Sequence, residues 1–151
     1  MIRTLCCLIV LHTSALAAQQ SPFAGTWRIS YPVGATIENG AATPILGSGT
    51  LVVVSVADSL IGKLDMDPDP ELSPRPAQRL AAPVTAPAAT FIARTEATLN
   101  MNGTESKATV ISTWKLTVKG DSLSGTVERV MEGYEAANQS PQPVTGSRRK
   151  P

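Results

Sequence analysis

The chain has 151 residues, with 13 Lys and Arg against 12 Asp and Glu, a formal net charge of +1, and only two each of Trp, Tyr and Phe. This length supports a single domain with one modest core. The balanced charge gives no electrostatic case for nucleic acid or an anionic membrane as partner, and so few aromatics argue against a sugar-stacking platform.

Residues 1–18 carry the three parts of a cleavable secretory signal in order. Arg3 stands beside the amino terminus, residues 5–11 are an apolar run, and Ser14-Ala15-Leu16-Ala17-Ala18 precedes Gln19-Gln20. The expected protein is therefore exported, in the bacterial manner, to the periplasm or beyond. The apolar run is far shorter than the roughly 20 residues of a membrane-spanning helix. No later segment supplies one, so no transmembrane segment is expected in the mature chain. Cys6 and Cys7 lie too early for a lipoprotein site. Cleavage removes both cysteines and His12, the only histidine. The mature chain then has no disulfide, no Ser/His/Asp or Cys/His nucleophile and no ordinary transition-metal site, and it calls for no cofactor.

Beyond the signal, apolar residues recur at period two, which predicts strands. In residues 25–31, Gly25, Trp27, Ile29 and Tyr31 share one face and Thr26, Arg28 and Ser30 the other. Asn39-Gly40 is a turn signal. Residues 50–56 are apolar on both faces, as in a doubly covered strand or a strongly curved barrel wall. Alternation returns in residues 91–101, followed by the hairpin signal Asn102-Gly103, by residues 110–118, by the turn Gly120-Asp121 and by residues 123–131. Residues 91–132 thus read as a three-stranded meander. Residues 56–64 echo residues 118–127, each placing Asp-Ser at a reversal and a glycine two residues after a leucine (Gly62, Gly125), which predicts a pair of similar hairpins.

Residues 67–90 hold six prolines and are expected as a long loop. Asp65, Asp67, Asp69 and Glu71 open like a calcium loop, but Pro70 and Pro76 stand where an EF-hand needs its glycine and its bidentate glutamate, so a solvated linker is expected and no metal. Residues 136–151 are expected as a disordered tail. The reading is one all-β domain over residues 19–135, an antiparallel up-and-down β-barrel of about seven to eight strands.

Phe23-Ala24-Gly25-Thr26-Trp27-Arg28 resembles the opening of the calycins, the superfamily of lipocalins and intracellular fatty-acid-binding proteins, whose first strand begins G-x-W. The resemblance implies a lipocalin-like barrel closed at one end by Trp27, with an arginine from the last strand packed against it. Arg129 is the expected partner. The chain departs from the pattern in having no helical lid, no T-D-Y motif and no C-terminal helix.

Trp27 and Trp114 are expected as core plugs. Phe91, Ala97, Leu99, Leu116 and Val127 would line a ligand cavity, or fill the core if there is none. The function expected first is binding of a small apolar ligand, with residues 67–90 as a mobile rim. The alternative is a protein-interaction module, an inhibitor or envelope accessory factor, using the same loop on a protein partner. A hydrolase built on paired carboxylates would need two acids converging in one cleft. The acids here fall in turns, in the linker or on outward faces, so no enzyme is expected.

Overall fold

The computed structural model describes residues 21–38, 41–68, 76–101, 104–134 and 139–150. They form eight strands: β1 (Gly25–Glu38), β2 (Ala41–Val56), β3 (Ser59–Met66), β4 (Gln78–Pro83), β5 (Ala88–Met101), β6 (Thr104–Lys119), β7 (Ser122–Met131) and β8 (Gln139–Arg148). Each pairs antiparallel with its neighbour in chain order, and β8 returns to β1, so the sheet closes into an up-and-down barrel. Residues 1–20, which include the expected signal peptide with Cys6, Cys7 and His12, lie outside the described residues.

Period-two alternation decides which side chains enter the barrel. In β6, Ser112, Trp114, Leu116 and Val118 are buried while Lys115 and Thr117 face solvent. In β2, Leu51 and Val53 are each 1% exposed, whereas Val52, Val54 and Val56 are 37%, 48% and 56% exposed. Residues 50–56 are therefore a barrel wall with an uncovered apolar outer face. The Asp-Ser echo marks two hairpins, β2–β3 and β6–β7, which place Leu60 and Leu123 in one core. Gly125 is required at its position because a Cβ there would lie 2.0 Å from the Lys115 carbonyl oxygen, so its absence lets β7 close tightly on β6.

Two expectations are corrected. Residues 67–90 are not one long loop: β4 lies inside them, sending Leu80 and Ala82 into the core and pairing with β3 from Leu64↔Gln78 to Ser59↔Pro83. Pro83 is compatible because it ends the strand. Residues 136–151 are not a disordered tail: β8 is the strand that closes the barrel, with Val144 1% exposed. Its prolines, Pro141 and Pro143, fall in the part of β8 that borders β7 alone, since pairing with β1 begins only at Thr145. The expected 19–135 boundary therefore stops one strand short.

The two ends of the barrel differ. The end holding the β2–β3 and β6–β7 turns is plugged by Phe23 and Trp27. At the other end two hairpins run past the ring: β1–β2 beyond Gly49↔Met66, the last pair of β2 with β3, and β5–β6 beyond Val110↔Met131, the last pair of β6 with β7. Strand order places them on opposite sides of the mouth. A bulge between Pro32 and Gly34 bends the first arm, and Val33 packs into space that a Cβ on Gly47 would occupy. The turns at Asn39-Gly40 and Asn102-Gly103 lie outside the described residues.

Candidate functional site at the open end of the barrel

At the plugged end Trp27 is fully buried, and its Nε1–H donates to the Phe23 carbonyl at 2.8 Å. The Arg148 guanidinium sits 4.2 Å from the Trp27 ring centre and donates to the Ala24 and Pro22 carbonyls at 2.6 and 2.7 Å. Gly25 makes this approach feasible: its φ is +130°, and a Cβ there would meet Arg148 Nη1 at 2.6 Å. Phe23 packs edge-on against Phe91 with ring centres 5.7 Å apart. Phe91, Leu116 and Val127 are 1–2% exposed, so three of the expected cavity-lining residues are packed core. Ala97, half-buried and paired with Ala108, lies in the β5–β6 arm, as does Leu99, whose side chain lies outside the described residues.

The expected partner of Trp27 is corrected here. β7 runs away from the plugged end, so Arg129 is carried toward the mouth. β8 runs back, and its last residue, Arg148, pairs with Trp27.

Toward the mouth the inward faces change character. Arg129 is half-buried and in register with Ser112, which is 2% exposed. Its Nη2 donates to the Pro32 carbonyl at 3.0 Å and its Nη1 to Gln139 Oε1 at 3.3 Å. Two residues from Ser112 on the same face stands Trp114, 1% exposed, which meets Tyr31 edge-on with ring centres 5.3 Å apart. Among the described residues Trp114 Nε1, a group that only donates, has no hydrogen-bond acceptor, and the buried Oε1 of Gln78 has no donor. A buried polar atom left unpaired costs about 1–3 kcal/mol, and the plugged end shows no such cost, since Trp27 Nε1 is satisfied. At the rim the Tyr134 and Ser106 hydroxyls lie 3.2 Å apart.

Outside the mouth, Arg28 grips Asp67 with two hydrogen bonds, that from Nη1 to Oδ1 at 2.7 Å, and the Asp67 amide donates to the Ser48 carbonyl at 3.0 Å. Hydrogen bonding to Arg28 holds the Asp67 carboxyl below the usual carboxylate range, with desolvation opposing it, and raises the Arg28 guanidinium further. Asp65 is paired with Lys63 at 2.9 Å. Two of the four calcium-loop acids are thus occupied by cations, and the other two lie outside the described residues. No group of three metal-ligating side chains occurs among the described residues.

A depression of about 200 Å³ opens on the outer wall beside Thr85, Ala88, Thr90, Lys115 and Thr117. It is smaller than the roughly 300–1,000 Å³ of ordinary ligand pockets. Sequence reasoning placed Tyr31 on the inward face and named Trp114 and Arg129, but for other roles. It missed Gln78 because of the surrounding prolines, and Ser112 because nothing distinguishes a serine on an apolar face before its register is known.

No family model matches the chain, and no curated protein matches it in sequence. Among solved structures the chain is similar to Rv2717c from M. tuberculosis, with a TM-score of 0.50 and 13% identity, covering 86% of this chain and 94% of that one. At that identity the likeness is one of fold.

Proposed function

We propose that the protein is a binding barrel whose mouth takes a small, mainly apolar molecule bearing a hydrogen-bond acceptor. The acceptor is received by Trp114 Nε1–H, with the Ser112 hydroxyl and the Arg129 guanidinium beside it. The body of the ligand lies against Tyr31 and between the two hairpin arms. The observation that carries this reading is the Nε1 of Trp114, a donor without an acceptor among the described residues, buried on the inner wall at the level where the packed core ends. An acceptor from a ligand converts that cost into a hydrogen bond.

Binding is proposed in preference to catalysis because the chain beyond residue 18 holds neither histidine nor cysteine, and the carboxylates of Asp65, Glu96 and Glu128 lie on the outward faces of their strands. Export is part of the same proposal, supported by Arg3, the apolar run and the small residues before Gln19. Amino-terminal sequencing of secreted protein tests it, and an intact Met1 after export overturns it.

Native mass spectrometry of the purified chain should find a co-purifying molecule on wild type. Titration of the stripped protein with that molecule should change the emission of Trp114, read in a Trp27→Phe background. Trp114→Phe should weaken binding about fivefold to tenfold, the worth of one hydrogen bond. Undiminished affinity in a folded Trp114→Phe protein would sink the assignment.

A further inference from the structure

The outer wall of a water-soluble antiparallel sheet ordinarily presents polar side chains. Here one sector does not. Register places Val54, Ile61, Ala81 and Ile92 side by side across β2, β3, β4 and β5, with Val52 and Val56 on either side of Val54. Val54 and Ile92 are each 48% exposed. Four adjacent strands span roughly 14 Å, so this is a continuous apolar band rather than scattered exposure.

Two residues along β3, β4 and β5, on the mouth side, the next row is cationic, Lys63, Arg79 and Arg94, and on β2 it is continued by Val52. Lys63 is in register with Arg79, and Arg94 follows Ile92 by two positions on the same face. All three are exposed. Arg79 takes part in none of the ion pairs among the described residues, the Arg94–Glu132 pair is long, at 3.8 Å, and the Lys63–Asp65 pair, at 2.9 Å, lies between exposed groups that an anionic surface can compete for. The near-zero net charge of the whole chain conceals this local alignment.

We propose that this sector is a membrane-docking face, its valine and isoleucine side chains entering the headgroup boundary of a lipid surface while Lys63, Arg79 and Arg94 meet anionic headgroups. Charge complementarity selects that occupant. A cationic row beside an apolar band is the arrangement of interfacial membrane binders, whose apolar faces sink about 5–10 Å, a depth that suits a convex barrel wall. Long basic side chains reach outward from such a band while their stems lie along it. A second copy of the chain matches the face less well. A twofold axis crossing the band sets the cationic rows against each other, and one along the band sets each cationic row against the neutral row of Ser59 and Pro83. The face is separate from the barrel mouth, so neither proposal rests on the other.

Co-sedimentation of the chain beyond residue 18 with vesicles tests it. Binding is expected to vesicles of equal parts phosphatidylglycerol and phosphatidylcholine, falling as salt is raised, and not to phosphatidylcholine alone. Arg79→Gln and Arg94→Gln should each lower the partition constant about fivefold, the worth of one basic residue at an anionic surface. Val54→Ser with Ile92→Ser should lower it about tenfold or more, with the circular dichroism unchanged. Absence of binding, equal binding to both vesicle types, or binding insensitive to these substitutions overturns the proposal. So does a wild-type dimer in light scattering that Ile92→Ser dissolves, which would give the face to a second copy.

Discussion

The Arg148 guanidinium lies 4.2 Å from the ring centre of Trp27, so the final residue of the last strand locks onto the motif that opens the first. Two carbonyls of the segment before β1 and the Asp121 carboxylate, 3.3 Å from Nε, hold the same guanidinium. One side chain thereby joins the amino-terminal plug, the β6–β7 turn and the closing strand.

Arg148→Ala should lower unfolding stability by about 2–4 kcal/mol, from lost charged hydrogen bonds and the cation–π contact. Arg148→Lys should recover only part, because an ammonium lacks the planar fork that reaches both carbonyls. Urea denaturation measures both, and a loss under about 0.5 kcal/mol for the alanine variant would mean that the latch is ornamental.

Gly125→Ala should destabilise by about 3 kcal/mol, the upper range for overpacking. The obstacle is backbone and cannot rotate away, since the new Cβ would collide with the Lys115 carbonyl oxygen. A variant with wild-type Tm would show that β6 and β7 approach less closely than described.

The Arg28–Asp67 pair makes a pH prediction. Its bound form depresses the Asp67 carboxyl, so its stabilisation is fully present above the ordinary carboxylate value and is lost as pH falls through the lowered folded value. The urea midpoints of wild type and Asp67→Asn should keep a constant separation from neutrality down to about pH 4 and converge below it. A separation that persists into strong acid would falsify the assignment.

The unpaired polar atoms of the mouth separate stability from function. Gln78→Leu should raise stability by about 1–2 kcal/mol, by removing an orphaned acceptor. Trp114→Phe should cost far less than the roughly 3–5 kcal/mol of a large-to-small aromatic deletion, because the lost packing is offset by relief of the stranded N–H. If Gln78→Leu instead destabilises as a lost hydrogen bond would, Gln78 is already satisfied in solution.

Much of the architecture was legible in local pattern. Period-two alternation set the inward faces of β1, β5, β6 and β7, because a strand's side chains alternate whatever its neighbours are. The Gly25-Thr26-Trp27 start located the plug, and the paired Asp-Ser reversals located two hairpins. Proline density misled at β4 and β8. Proline excludes a strand only where both sides need its missing N–H, and which sides are paired is a property of the closed sheet.

What only the tertiary structure decided was everything that depends on register and direction. Arg129 and Arg148 are both arginines near the end of a late strand, and the sequence does not distinguish them. Opposite running of β7 and β8 sends one to the mouth and the other to Trp27. Likewise Lys63, Arg79 and Arg94 are dispersed along a chain of balanced charge, and hydrogen-bonded pairing between strands far apart in sequence is what aligns them. Alternation is a short-range consequence of backbone geometry, whereas register is fixed by the core as a whole, so the strands could be read one at a time but the sites between them could not.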